Sequence, residues 1–217
     1  MVTKEDLENA VEDEFGVKYS KDWKRLLKAP ESLRGKYSIR KGVKVIGDGA
    51  FEWCDSLTSI NIPNSVKIIG EYAFQDCNSL TSITIPSSVV TIFDNPFLHW
   101  HGNLYNESKA FIYEDHVLFN KDKTTLIAYI AEETNYTIPN SVTTIGDSAF
   151  AFCDSLTSIN IPNSVTTIGD SAFVWCDSLT NINIPNSVTT IEDGAFYCCI
   201  YNHRTTKTNQ KYPSVNL

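Results

Sequence analysis

The chain has 217 residues, 42% hydrophobic and 12% aromatic, which is enough for a sizeable core and too much for general disorder. Eighteen Lys and Arg against 26 Asp and Glu leave a net charge of −8, which excludes a partner that needs a basic face, nucleic acid above all. No apolar run reaches the roughly 18 residues of a membrane span, so no membrane insertion is expected, and the charged start MVTKEDLENAVEDEFG lacks the apolar stretch of a secretory signal.

Residues 1–38 form an N-terminal cap. Thr3 followed by Lys4, Glu5 and Asp6 reads as a capping box, and Leu7, Ala10, Val11 and Phe15 fall at helical spacing. From residue 39 the chain repeats. Units start at Ile39, Ile62 and Ile85, and again at Ile138, Ile161 and Ile184, with 23 residues between starts in each run. The first run occupies 39–107, the second 138–199.

Within a unit, residues 57–62 (LTSINI) alternate apolar and polar side chains as a strand with one buried face does. Pro63, Asn64 and Ser65 supply turn chemistry, and residues 66–69 can form a second short strand. One acidic residue recurs in every unit (Asp48, Glu71, Asp94, Asp147, Asp170, Asp193) and reads as the N-cap of a short helical turn. A Phe recurs with it (Phe51, Phe74, Phe97, Phe150, Phe173, Phe196), predicting a buried aromatic ladder. No unit of this size buries its own apolar face, so stacking should produce one continuous core.

Residues 108–137 interrupt the repeat. The tract YSKDWKRLLKAPESLRGKYSI at 19–39 aligns with FNKDKTTLIAYIAEETNYTI at 119–138, so both read as β-hairpins leading into a rung, with residues 111–113 pairing on 117–119. Beyond Cys199 the tail at 200–217 is polar and loses the pattern.

The motif LxxIxIPxSVxxIGxxAFxxC resembles the BspA-like leucine-rich repeats of bacterial surface antigens. The resemblance covers roughly 39–199 and recurs six times. It implies a leucine-rich-repeat solenoid, mostly β with short helical turns, closed by an N-terminal helix and hairpin and carrying one hairpin insertion. It further implies a non-catalytic scaffold that binds proteins, adhesive and directed at host or matrix, on a cell surface.

The residues themselves offer several candidate sites. Cys54, Cys77, Cys153, Cys176 and Cys199 share one slot, spaced by the repeat rather than as a metal cluster, and read as a ladder of small buried thiols; Cys198 stands apart and should be exposed. No nucleophile elbow, P-loop or HExxH is present, so no enzyme is expected and no cofactor. The rival reading is a metal-dependent hydrolase centred on His99, His101 and His116. The Gly-Asp pairs resemble calcium ligands but fit the turn role as well.

The two slots before the Cys vary most between copies and should face solvent. There Trp53, Phe152, Trp175 and Tyr197 form the candidate partner surface, because exposed large aromatics dominate contact energetics. The second candidate face is the polar side of the strands: Ser59, Asn61, Ser82, Thr84, Ser158, Asn160, Asn181 and Asn183, suited to a peptide or a glycan. The expected protein is a monomer or weak homodimer with a protein partner, cytoplasmic as written, or secreted or surface-bound if a leader has been removed. An intracellular scaffold without adhesive role is the third reading.

Overall fold

The computed structural model describes residues 2–199, apart from the side chain of Asn181; the polar tail at 200–217 lies outside the described residues. Each 23-residue unit makes one turn of a solenoid carrying two short parallel strands. Val45–Ile46, Ile68–Ile69 and Thr91–Ile92 stack in one ladder, and Thr144–Ile145, Thr167–Ile168 and Thr190–Ile191 in its counterpart. The register is one repeat long, with Val45 opposite Ile68 and Thr144 opposite Thr167. The longer strands pair likewise, Asn135–Thr137 on Ser158–Asn160 and Ser158–Asn160 on Asn181–Asn183.

Local chemistry explains each corner. After every Pro of the IPxS turn, the Pro carbonyl accepts from the Val three residues on (Pro63 from Val66 at 3.0 Å, Pro162 from Val165 at 3.1 Å), which drives that Val fully inward. The Phe rings stack face to face: Phe51 on Phe74 at 5.5 Å, Phe74 on Phe97 at 6.1 Å, Phe150 on Phe173 at 5.0 Å and Phe173 on Phe196 at 5.2 Å, none tilted by more than 10°. A tyrosine begins each ladder, Tyr37 of the strand Gly35–Ser38 beside Phe51 and Tyr129 of the insertion beside Phe150.

Both hairpins are built alike. Val11–Glu12, Lys18–Tyr19 and Arg25–Lys28 run antiparallel, and the last then pairs parallel with Val45–Ile46. Phe111–Glu114, Val117–Asn120 and Thr125–Tyr129 repeat that plan and hand over to Thr144–Ile145. Leu26 opposite Ile46 corresponds to Leu126 opposite Ile145. Each turn places the residue after its Asp in the left-handed region, Trp23 at φ 60° and Lys123 at φ 54°. The molecule is thus two tandem half-arrays, each a hairpin followed by three rungs.

Four expectations are corrected. The repeat corners are turns without helix; the described helix is Lys4–Glu8 alone. There the capping box holds, Thr3 Oγ1 accepting from Asp6 N at 3.1 Å and Asp6 Oδ2 from Thr3 N at 3.0 Å. The helix stops early because Val11 pairs with Tyr19 as a strand, while Asp13 Oδ1 accepts from the Phe15 and Val17 amides and tightens a turn; Phe15 is left 53% exposed. The acidic column does not cap its own turn either: Asp147 Oδ1 accepts from the Asp170 amide one rung on, at 2.9 Å, and Asp48 Oδ2 from Val2 N. Finally, the core has two parts. Alternation along the insertion strands sends Leu118 and Ala128 into the first and Val117, Phe119, Leu126 and Tyr129 into the second. The insertion is an apolar sheet filled from both sides.

Candidate functional site

The slot immediately before the Cys has one backbone conformation throughout. Trp53, Asp76, His99, Phe152, Trp175 and Cys198 all have φ between 52° and 63°. Large side chains rarely sit in that left-handed region, which costs about 1–2 kcal/mol per residue. A main-chain bond to the next rung compensates: Trp53 N–H donates to Gln75 O, Asp76 to Leu98 O, Phe152 to Val174 O and Trp175 to Tyr197 O, at 2.8–3.1 Å. The column is therefore a rigid row of side chains along one edge.

Of the candidates in the sequence, Trp53 is 47% exposed and Trp175 44%. Phe152 is half-buried, its ring 4.3 Å from that of His99 and 6.4 Å from Trp175, the latter nearly parallel. Tyr197, 53% exposed, belongs to the preceding slot, which was expected to face solvent throughout and does not: Leu98 and Ala151 there are buried, and Glu52, Gln75 and Val174 are half-buried. The rings therefore form a row of His99, Phe152 and Trp175, with Tyr197 one rung on and one slot earlier. Sequence reasoning missed the pair beneath it: buried Asp76 holds His99 Nδ1 through Oδ1 at 3.0 Å.

The three histidines of the rival reading do not converge. His99 faces Asp76, His101 Nδ1 lies 3.5 Å from Glu132 Oε1, and His116 Nδ1 lies 3.3 Å from the Tyr113 hydroxyl. Among the described residues no three His, Cys, Asp or Glu side chains are grouped to hold a metal ion, so the three histidines of the hydrolase reading share no such cluster. The acidic column is instead mutually perturbed: a hydrogen bond that the protonated Glu71 donates to Asp94, burial, and the charges of Asp94 and Asp48 push the Glu71 carboxyl up to about 7.

All six cysteines are free. Cys77, Cys176 and Cys199 donate their thiols to the Phe carbonyl of the preceding rung (Phe51, Phe150 and Phe173, at 3.1, 3.0 and 2.8 Å). Burial pushes the Cys54 thiol up to about 11 and raises that of Cys77, while the neighbouring Cys153 and burial raise that of Cys176. Three placements differ from expectation: Cys198 is half-buried, and so are Cys199 and Cys153, the last of which opens onto a cleft beside the insertion. Iodoacetamide on native protein should modify Cys153 and Cys198 well before Cys54, Cys77 and Cys176, since thiolate and access are both needed. Peptide mass mapping showing Cys77 or Cys176 alkylated as fast as Cys153 would count against the ladder.

On the polar strand face Ser59, Asn61, Thr84, Asn160 and Asn183 are exposed, while Ser82 and Ser158 are half-buried; the Asn181 side chain lies outside the described residues. Asn160 and Asn183, with Asn140, Asn163, Pro162 and Pro185, line a shallow cleft of about 470 Å³. Tyr105, 57% exposed, stands in register with Thr84 and was not singled out because the strand at Asn103–Asn106 does not fit the repeat motif.

Similarity to known proteins follows this architecture. The BspA type Leucine rich repeat region matches in six copies over residues 34–106 and 128–214. A search of curated proteins gives no match. Among solved structures, the pneumococcal vaccine antigen PcpA superposes with a TM-score of 0.69 at 29% identity, over 76% of this chain and 43% of its own. A leucine rich cell surface protein from Faecalibacterium prausnitzii gives 0.58 at 31% identity, over 76% of this chain and 51% of its own. A leucine-rich repeat protein from Eubacterium ventriosum gives 0.55 at 27%, over 72% and 55% respectively. The chain spans about half the length of these proteins. Six matched copies, a rung register of one repeat and this shared solenoid lead to one conclusion: the chain belongs to the BspA-type leucine-rich repeat family.

Proposed function

We propose that the chain is a non-catalytic repeat scaffold that binds a protein partner through the aromatic row of Phe152 and Trp175, with Tyr197 beside it and Trp53 as a separate contact on the same column. One observation carries this reading. Trp175 stands 44% exposed at φ 56°, a strained backbone position, with its ring outside the core. An exposed ring held at a fixed corner and nearly parallel to its neighbour Phe152 is a preformed contact surface, and Trp and Tyr are enriched among interface hot spots. An adhesive role at a cell surface fits the description of the Faecalibacterium prausnitzii relative as a cell surface protein. The asparagine-lined cleft on the strand face supports a second reading, a glycan or peptide held by amide hydrogen bonds.

Trp175→Ala keeps the same backbone strain and removes the ring, so the melting temperature should stay within about 2 °C of the parent. Affinity for a partner captured on the parent protein should fall by roughly 30-fold or more, the loss of a hot spot. Sedimentation of both proteins shows whether that partner is a second copy. If Trp175→Ala binds as the parent does while Asn160→Asp with Asn183→Asp does not, the strand face is the site.

A further inference from the structure

We propose that Cys153 and Cys176 are a modification site: a peroxide oxidises Cys153, Cys176 closes on it, and the disulfide clamps together the two rungs that carry Phe152 and Trp175. The pair stands whether or not those rings contact a partner.

The repeat brings the two residues together. They occupy one slot of the unit, 23 positions apart. Their rungs pair in register on both strand ladders, at a spacing of about 4.8 Å. That lies inside the roughly 4.4–6.8 Å of Cα separation that a disulfide spans. The chain leading into both corners is pinned as well, Phe150 N–H donating to Ala172 O and Phe152 N–H to Val174 O, each at 2.8 Å. One carbonyl then joins the pair. Phe150 O accepts the Cys153 amide at 3.2 Å and the Cys176 thiol at 3.0 Å, so the Cys176 sulfur is turned back onto the rung of Cys153. The two thiols are direct side-chain neighbours.

Access sets this pair apart. Cys153 is half-buried and lines the cleft beside the insertion, whereas Cys176 is fully buried. An oxidant meets Cys153 first, and Cys176 is reached from within, by the Cys153 sulfur. Cys54 and Cys77 repeat the arrangement, with Phe51 O accepting the Cys54 amide and the Cys77 thiol at 3.1 Å each. Both of those thiols are fully buried, so that pair should stay reduced. Cys199, the other neighbour of Cys176, is kept protonated: its thiol donates to Phe173 O at 2.8 Å, and Cys176 and burial push it up.

The chemistry takes two steps. The Cys153 thiolate attacks one peroxide oxygen; the S–O bond forms, the O–O bond breaks, and the departing hydroxide takes up the proton the thiol released. The Cys176 sulfur then attacks the Cys153 sulfur and expels hydroxide, which leaves as water with the Cys176 proton. Two thiols are oxidised to one disulfide, and one hydrogen peroxide is reduced to two waters.

The test treats the intact native protein with dilute hydrogen peroxide, blocks remaining thiols, and maps peptides without reduction. The expected product is monomeric, has lost two hydrogen masses, and links the Cys153 and Cys176 peptides while Cys54 and Cys77 remain alkylatable. It should melt about 5 °C above the reduced protein, because a 23-residue loop is closed, and dithiothreitol should reverse the shift. In Cys176→Ser the Cys153 sulfenic acid has no thiol to close on, and dimedone should label it several-fold more than in the parent. Should that variant not fold, the peptide map of the parent decides. Oxidation of Cys153 that leaves Cys176 a free thiol would overturn the proposal. So would a Cys54–Cys77 link formed as fast, a Cys153–Cys176 link that appears in urea alone, equal dimedone labelling of variant and parent, or a linked protein that melts lower.

Discussion

Phe173→Ala is expected to remove about 3–5 kcal/mol of stability, more than any other single truncation in the second half-array. Phe173 is fully buried, and its ring is sandwiched between Phe150 at 5.0 Å and Phe196 at 5.2 Å. Its main chain ties both neighbours as well, the N–H donating to Ala195 O at 2.7 Å and the carbonyl accepting the Cys199 thiol. In a solenoid, stability is close to a sum of rung and nearest-neighbour terms, so a ring with a neighbour on each side loses two interfaces at once. Phe196 is half-buried and has less apolar surface to lose, so Phe196→Ala should cost about 1–2 kcal/mol. Urea titration of both variants measures the difference. Equal losses would mean that the rings fill space independently and that the ladder carries no coupling.

The parts legible in the sequence are those enforced once per unit. The 23-residue spacing predicts the rungs because every rung repeats the same inward residues, Leu57 and Ile69 in one turn and Leu80 in the next. The second hairpin is legible because it repeats the first, with Lys-Asp at the turn and a Leu four residues on facing Ile46 or Ile145. Features that depend on contacts made once were hidden. Asn95 Nδ2 reaches the Ser148 carbonyl across 53 positions, and the Tyr72 hydroxyl meets Ser148 Oγ across 76; together they join the half-arrays, and no periodicity announces them. The left-handed slot was hidden for another reason: the usual mark of such a slot is Gly or Asn, whereas here Trp, Asp, His, Phe and Cys occupy it, and Trp53, Asp76, Phe152 and Trp175 are held there by a main-chain bond to the following rung. The acidic residues misled in the same way. They look like N-caps, but Asp147 accepts from an amide one rung on and Asp48 from Val2 in the N-terminal cap, partners that local sequence does not identify.

Gly169→Ala tests how tightly successive rungs are clamped, and it should cost about 2–3 kcal/mol. The position does not need left-handed freedom, so the cost is steric. A Cβ there would lie 2.2 Å from Asp147 Oδ1, 2.8 Å from Asp147 N and 2.9 Å from the Gly146 carbonyl carbon. The same slot holds Gly47, Gly70 and Gly146, yet Phe93 and Glu192 in the last rung of each half-array, where both side chains are exposed. Among the described residues those rungs have one parallel neighbour in the short-strand ladder, Thr91–Ile92 on Ile68–Ile69 and Thr190–Ile191 on Thr167–Ile168, and can yield outward. The Gly169 rung is held on both sides, by Thr144–Ile145 and Thr190–Ile191, and cannot. Glu192→Ala should accordingly change stability by less than about 0.5 kcal/mol. Asp147→Ala combined with Gly169→Ala should recover part of the loss: the carboxylate clash goes, but the contacts with the Asp147 amide and Gly146 stay, leaving a coupling of about 1 kcal/mol in a double-mutant cycle. If Gly169→Ala instead unfolds at the same urea concentration as the parent, the rungs slide past one another at negligible cost. The left-handed column would then no longer count as a fixed row, and the case for a partner surface built on its spacing would fall with it.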